Sequence, residues 1–165
     1  MSLKINFKTD ENENKIKNYV LFSDEKFNIR GFKSLLLAKD IIKINKTISN
    51  NKINDKDFLL FNLNPSQKIL LVRIKDGKSS LSNEKMGAKF YNFIKTNSLS
   101  SLSFLEKNFH DLNKKHKYFL DEFLHGIKLK SYEFKKYKTK KKNILYEIDI
   151  IDKKKKSYEN KANRF

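Results

Sequence analysis

The amino-acid sequence predicts a single α/β domain built around a mixed β-sheet. Segments typical of strands alternate with segments typical of helices along the 165 residues, which is the pattern of an α/β fold. Two compact apolar runs, at 57–63 and 68–75, are bounded by Asn-Pro and Asp-Gly, as buried strands commonly are. The chain is 38 % hydrophobic and has 14 phenylalanines, so it can bury one core of ordinary size.

Two strands and one helix are predicted in the first third of the chain. Apolar and polar residues alternate in Leu3–Lys8, and Asn18–Ser23 forms a second short strand after the polar turn DENENK. A helix from Ala38 is indicated by isoleucines that recur at i, i+3 and i+7 and therefore lie on one helical stripe. These residues are Ile41, Ile44 and Ile48.

The middle of the chain predicts a hairpin followed by a helix. Asp57–Leu63 and Lys68–Lys75 are joined by NPSQ, which is too short for a crossover helix, so the two strands pair in antiparallel fashion. After DGKSSLS a helix is expected, with Ser82 as its N-cap. The apolar residues that indicate this helix are Met86, Phe90, Phe93 and Ile94.

Three further elements complete the predicted set. Ser101–Leu105 is a strand, a longer helix runs from about 115 to 135, and Asn143–Ile151 is an alternating strand. The apolar stripe of this second long helix contains Phe119, Leu120, Phe123, Leu124 and Ile127.

The formal charge of +18 makes a polyanionic partner a hypothesis to consider. Of the 37 basic residues only Arg30, Arg73 and Arg164 are arginines. Specific phosphate and base contacts favour the planar arginine fork, whereas lysine is a solvated point charge. The lysines are therefore interpreted as a compositional bias of the surface, with nucleic-acid binding as the alternative.

No catalytic or metal-binding pattern is found in the sequence. Cysteine is absent, and the three histidines have no metal-ligand spacing. The histidines are His110, His116 and His125. Neither a G-x-S-x-G nucleophile motif nor a glycine-rich phosphate loop occurs. No apolar run reaches the length of a membrane span, so no membrane association is expected and a reducing cytoplasmic location is predicted.

The stretch FLHGIKLKSYEFKKYKTKKK, residues 123–142, combines aromatic and basic residues. Its aromatic side chains are expected to pack the end of the helix onto the sheet, with the lysine run as a solvated exit, and a nucleic-acid surface is the alternative. In the second interpretation the candidate contacts are Lys135, Lys136, Lys140, Lys141 and Lys142. Gly126 lies inside the helical pattern and indicates either the close approach of another element or a tolerated glycine near a helix end.

The same stretch fits the pattern G-x5-Y-x-F-x2-Y-K and resembles the end of the N-terminal domain in the leucyl (cytosol) aminopeptidase family. The residues of this pattern are Gly126, Tyr132, Phe134, Tyr137 and Lys138. The resemblance covers residues 58–151 and, more loosely, the remainder of the chain, with Gly87-Ala88 at the small-residue step of the preceding helix. Two features depart from the family: LVRIKDG lacks its glycine-rich strand end, and His125 stands where the family usually has an acidic residue.

The resemblance implies a macro-domain-like fold with a mixed, mostly parallel sheet flanked by helices. It divides the chain into a non-catalytic domain, 1–152, and the start of a linker, 153–165, to a C-terminal catalytic domain that this chain lacks. In the family that domain binds two divalent metals, zinc or manganese, and removes N-terminal amino acids from peptides. The expected partners are the chain's own catalytic domain and the sister subunits of a homo-hexamer.

Two other functions remain open beside this one. Some bacterial members of the resembled family also bind DNA, so a basic nucleic-acid-binding module is the main alternative. A macro-like pocket for an ADP-ribose-type ligand is a weaker alternative, because the chain has no glycine-rich phosphate loop.

Overall fold

The computed structural model describes residues 2–9, 18–29, 32, 36–50, 53, 55–75, 79–105, 117–132 and 144–151. Its described elements are six strands and three helices, which alternate along the chain as the sequence predicts. The strands are β1 Ser2–Lys8, β2 Asn18–Ser23, β3 Phe58–Asn64, β4 Gln67–Arg73, β5 Ser101–Leu105 and β6 Leu145–Ile151. The helices are α1 Ala38–Asn50, α2 Ser80–Thr96 and α3 Phe119–Ser131.

The six strands form one sheet in the order β1-β6-β5-β2-β4-β3. Every neighbouring pair is parallel except β3 and β4, which form the antiparallel hairpin predicted across NPSQ. Along the chain, β2 is followed by β3 and β4, which lie on one side of it within the sheet, and β5 is followed by β6, which lies on the opposite side. The direction in which strands are added therefore reverses between β2 and β5. The predicted mixed, mostly parallel sheet flanked by helices is confirmed.

Two predicted helix boundaries differ from the structure. The N-cap of α2 is Ser79, not Ser82, because the Ser79 carbonyl accepts hydrogen bonds from the backbone N–H groups of Ser82 (2.9 Å) and Asn83 (3.2 Å). Ser82 therefore lies in the first helical turn. Within the described residues α3 begins at Phe119 and ends at Ser131, so it is shorter than the helix predicted from about 115 to 135.

The larger core fills the space between one face of the sheet and the helices α2 and α3. Phe22 of β2 lies near its centre and makes edge-to-face contacts with three other rings, at centroid distances of 5.4–5.6 Å. These rings are Phe104 of β5 and Phe119 and Phe123 of α3. Aromatic pairs in this geometry stabilise a core by about 0.5–1.5 kcal/mol each beyond the area they bury.

A second core lies on the opposite face, between α1 and the strands β2, β4 and β3. The predicted isoleucine stripe of α1 points into it, with Ile44 fully buried and Ile41 and Ile48 partly buried. Phe27 and Ile29, from the segment after β2, are also buried in this core. The sheet is thus covered by helices on both faces, which explains the uninterrupted apolar runs 19–22 in β2 and 69–72 in β4.

Helices α2 and α3 touch backbone to backbone at two glycines. A methyl group added at Gly126 would lie 2.0 Å from the carbonyl oxygen of Glu84, and one added at Gly87 would lie 2.0 Å from the carbonyl oxygen of Phe123. No real side chain tolerates such a distance. Of the two explanations for Gly126 in the sequence, the close approach of another element is the one that the structure supports.

Polar side chains join the same two helices beside the glycines. Nδ1 of His125 lies 2.9 Å from a carboxylate oxygen of Glu84, and the Asn83 amide donates a 2.8 Å hydrogen bond to Glu122. All four side chains are at least partly buried. The family departure at position 125 therefore places a histidine against a carboxylate across the helix pair.

We expect Gly126→Ala to lower the free energy of unfolding by about 3 kcal/mol, because the added methyl group meets the Glu84 backbone. The sign of this change decides between the two explanations of Gly126. If the glycine were merely tolerated near a helix end, alanine would raise the free energy of unfolding by about 1 kcal/mol. Chemical denaturation of the purified chain measures the change. Leu129→Ala, at a 54 % exposed position of the same helix, is the control and should change little.

Candidate functional site

The aromatic motif after α3 is only partly described by the structure. Tyr132 directly follows the helix and is 73 % exposed, so the expectation that it packs the helix end onto the sheet is wrong. The reason is its position: Tyr132 lies five residues after the buried Ile127, which is about 140° around the helix axis from the buried stripe. The partners predicted with it, Phe134, Tyr137 and Lys138, lie outside the described residues.

The lysines proposed as nucleic-acid contacts also lie outside the described residues, as does the linker predicted at 153–165. These lysines are Lys135, Lys136, Lys140, Lys141 and Lys142. Their role stays a prediction.

The carboxyl edge of the sheet is where open α/β sheets usually bind ligands, at the point where strand order reverses. Here that point lies between the ends of β2 and β5. The residues that directly follow β1, β5 and β6 lie mostly outside the described ranges. A pocket for an ADP-ribose-type ligand at this edge therefore stays a prediction.

An ionic cluster lies at the same edge, beside β4. The carboxylate of Asp57, directly before β3, accepts a 2.9 Å hydrogen bond from Lys89 of α2 and lies 3.6 Å from the guanidinium of Arg73. The backbone N–H of Arg73 also donates to the Asp57 carbonyl, at 2.9 Å. One aspartate thus ties the start of β3 to the end of β4 and to α2.

Arg73 is the buried member of this cluster, with a side chain only 6 % exposed. Its guanidinium carbon lies 5.4 Å from the centroid of the Phe27 ring, a cation–π distance. Phe27 has a φ of 55°, in the left-handed region, and its N–H donates to the Asp24 carbonyl at 3.0 Å. The Asp24 carboxylate accepts hydrogen bonds from the backbone N–H groups of Lys26 and Asn28, so the side chain of Asp24 fixes the turn that places this ring.

Burial alone would raise the pKa of Asp57, but its neighbours outweigh that effect. The hydrogen bond from Lys89 and the positive charges of Lys89, Lys75 and Arg73 hold the pKa below its ordinary value of 3.8. A carboxylate that stays ionised and is held by two cations is a poor general base, because its proton affinity is low. The cluster is suited to holding the hairpin in place.

A second polar cluster joins β6 to β1, the edge strand on the opposite side of the sheet from β3. Asp149 of β6 accepts 2.7 Å hydrogen bonds from the Asn6 amide and the Lys8 ammonium of β1. Asn6 and Asp149 are opposite one another in the parallel pairing. These contacts strengthen the union of β1 and β6. Among the residues that the structure describes, no three histidine or acidic side chains converge as metal ligands would.

The outer edge of β3 borders an open groove of about 510 Å³, which we call the edge groove. The strand forms its floor with Phe58, Leu59, Leu60 and Phe61. Thr47 and Ile48 of α1 lie on one flank and Phe93 of α2 on the other, with Ile53, Lys56 and Asp57 at the end. The groove is predominantly apolar and runs along an edge strand.

No helix in the described part of the chain has the length and apolar character required to cross a membrane.

Comparison with known proteins finds similarity in structure but not in sequence. No protein-family model and no curated protein matches the chain. A mutant of tomato leucine aminopeptidase superposes with a TM-score of 0.66 and 16 % identity, covering 98 % of this chain and 35 % of that one. The macrodomain of Thermus aquaticus DarG superposes with a TM-score of 0.59 and 7 % identity, covering 92 % of this chain and 99 % of that one.

The chain has a macrodomain-like fold. This confirms the fold that the aminopeptidase resemblance implied, and at these identities the likeness extends to the fold alone. The chain spans about a third of the length of the aminopeptidase that it matches.

The cluster of Asp57, Arg73 and Lys89 was not foreseen in the sequence. A signal was nevertheless present, because Arg73 is one of three arginines and ends an apolar strand whose hairpin partner begins directly after an aspartate. In an antiparallel hairpin these two positions lie opposite one another. Lys89 could not have been added, since its position depends on how α2 lies on the sheet.

We expect Asp57→Asn to destabilise the fold by about 1–2 kcal/mol at neutral pH, because it leaves the buried Arg73 without its carboxylate. The folded pKa of Asp57 is below the unfolded one, so the stability it contributes is complete above the unfolded pKa and is lost as pH falls through the folded pKa. The difference between the two proteins should therefore shrink below about pH 4.

Urea unfolding of both proteins at neutral pH and at acidic pH measures this difference. Asp55→Asn, two positions earlier and exposed, is the matched control and should change stability by less than about 0.5 kcal/mol at neutral pH. A constant difference between wild type and Asp57→Asn across this pH range would contradict the assignment.

Proposed function

We propose that this chain is the non-catalytic N-terminal domain of a longer, cytoplasmic, metal-dependent leucyl aminopeptidase. In this proposal it has an assembly or regulatory role beside its own catalytic domain and the sister subunits of a homo-hexamer. The catalytic domain, which removes N-terminal amino acids from peptides with two zinc or manganese ions, lies outside these residues.

One observation carries the proposal: nearly the whole chain superposes on about a third of a leucine aminopeptidase. The pattern from Gly126 to Lys138 points to the same family from the sequence. The geometry of the described polar clusters agrees with a supporting role, because Asp57 and Asp149 are each held by cations or amides that join neighbouring elements.

We expect residues 1–165 alone not to hydrolyse a leucyl chromogenic substrate with added manganese or zinc. Metal-assisted hydrolysis in such enzymes needs ligands that hold two ions ~3.5–4 Å apart with a bound water. The product of the gene's full reading frame should show metal-dependent turnover in the same assay. Turnover by residues 1–165 that disappears on replacing a carboxylate such as Asp149 would overturn the proposal, as would an inactive full product.

The second candidate function is nucleic-acid binding, favoured by the +18 charge. Within the described residues α1 presents exposed lysines at i, i+4 and i+7, and the only acidic residue of this helix is Asp40. These lysines are Lys39, Lys43 and Lys46. Lysines at this spacing share one face of a helix and could follow a phosphate backbone.

If the chain binds duplex DNA in this way, the logarithm of the binding constant should fall linearly with the logarithm of the salt concentration, with a slope set by the number of neutralised phosphates. The double variant Lys39→Gln, Lys46→Gln should reduce that slope by about 2, because each neutralised phosphate contributes about 0.9. Lys85→Gln with Lys130→Gln, on the helices of the other sheet face, is the matched control. Fluorescence anisotropy at several salt concentrations measures both, and no binding at low salt would remove the candidate.

A further inference from the structure

The two edges of the sheet differ in how they are protected. Edge strands expose unpaired backbone groups, and proteins commonly guard them with lysines, prolines or bulges. The edge strand β1 carries Lys4 and Lys8, whereas β3 has no charged residue from Phe58 to Asn64. The pairing of β3 with β4 shifts register only at the far end of β3, between Asn62 and Asn64, so the stretch 58–62 is regular. No strand in the described part of the chain pairs with the outer side of β3.

The pairing with β4 determines which backbone groups of β3 face outward. Arg73 and Asp57 are opposite one another, and the Arg73 N–H donates to the Asp57 carbonyl. Hydrogen-bonded pairs alternate along an antiparallel ladder, so Leu59 and Phe61 also bond to β4. The N–H and carbonyl groups of alternate residues therefore point out of the sheet. These residues are Phe58, Leu60 and Asn62.

One of these outward groups is already occupied. The ammonium of Lys43 lies 3.3 Å from the Asn62 carbonyl. The outward groups of Phe58 and Leu60 lie in the edge groove, between apolar flanks on both faces of the sheet. An added strand must therefore supply two hydrogen-bonding residues and be apolar on both of its faces.

We propose that the edge groove binds β3 of a second copy of this chain, so that the two sheets join into one of twelve strands. β3 itself meets the requirement, since Phe58 and Leu60 pack towards the α2 side and Leu59 and Phe61 towards the α1 side. It is also an uncharged strand on a chain of +18, where most contacts between two copies would be repulsive.

One register uses both free residues and leaves the Lys43–Asn62 contact intact. In it Phe58 of each copy faces Leu60 of the other. Each of these two pairs exchanges two backbone hydrogen bonds, which makes four in all. Leu59 faces Leu59 of the second copy on the two-fold axis. Lys56 then faces Asn62 of the second copy, so no like charges are opposite one another. The closed two-fold axis pairs the β3 edge of one copy with the β3 edge of the other, so no β3 edge stays open and assembly stops at a dimer.

This inference rests on the edge geometry and is independent of the aminopeptidase proposal. The proposed dimerisation should also depend on salt in the opposite direction to nucleic-acid binding. Because the two copies repel each other, added salt should strengthen the dimer, as the screening length falls from ~10 Å at 0.1 M to ~3 Å at 1 M. Sedimentation of the wild-type chain at rising protein and salt concentrations should show twice the monomer mass of 19.7 kDa.

The absence of cysteine allows a test of the register by cross-linking. In the proposed pair the Cα atoms of the two Leu59 residues lie about 4.5 Å apart, within the range of a disulfide. Leu59→Cys should therefore form a covalent dimer on mild oxidation. Phe61→Cys is the matched control, because Phe61 faces Asp57 of the second copy and the two cysteines would be about 14 Å apart.

Non-reducing electrophoresis reads the cross-link, and circular dichroism verifies that both variants fold. The expected result is a predominantly covalent dimer for Leu59→Cys and only a trace for Phe61→Cys. Equal cross-linking of the two variants, or cross-linking at position 61 alone, would overturn the proposed register. A wild-type chain that stays monomeric at high protein and salt concentration, or that forms open polymers, would overturn the dimer whatever the variants do.

Discussion

The backbone contact between α2 and α3 is the constraint on which the rest of this fold depends. Gly87 and Gly126 remove the side chains that would otherwise hold the two helices apart. Both helices can then lie on the same sheet face and bury a continuous aromatic core around Phe22. Polar contacts from Glu84 to His125 and from Asn83 to Glu122 fix the pair beside the glycines. Close helix packing thus explains how so lysine-rich a chain holds a well-packed interior.

The polar clusters at the sheet have a similar supporting role. Asp57 joins β3, β4 and α2, and Asp149 joins β6 to β1, so each stabilises an outer part of the sheet. The hairpin fixed by Asp57 presents β3 at an edge that carries no charge. The described ionic groups therefore hold elements of the fold together. The uncharged edge of β3 is the surface on which the proposed pairing of two copies depends.

Much of the fold could be predicted from local patterns, because alternation, helical stripes and turn residues act over a few positions. The β3–β4 hairpin followed from the length of NPSQ alone. Strand order could not be read from periodicity, and the family resemblance implied only that the sheet is mixed and mostly parallel. The N-cap of α2 was misplaced because three serines, Ser79, Ser80 and Ser82, offer the same side chain. The prediction that Tyr132 packs onto the sheet was wrong because this residue lies on the opposite side of the helix axis from the buried stripe of α3. The Asp57–Arg73–Lys89 cluster joins residues from three elements, and no local pattern reveals such a contact.

Amide hydrogen exchange under native conditions tests the central claim most directly. If the glycine contact supports the whole domain, the amides of 84–87 and 123–127 should exchange only through global unfolding, with the same free energy as the central strands β2 and β5. The two helices would then open together with the sheet. Exchange of these amides at a free energy well below that of β2 and β5 would contradict the account, because it would mean that α2 and α3 separate while the sheet stays folded.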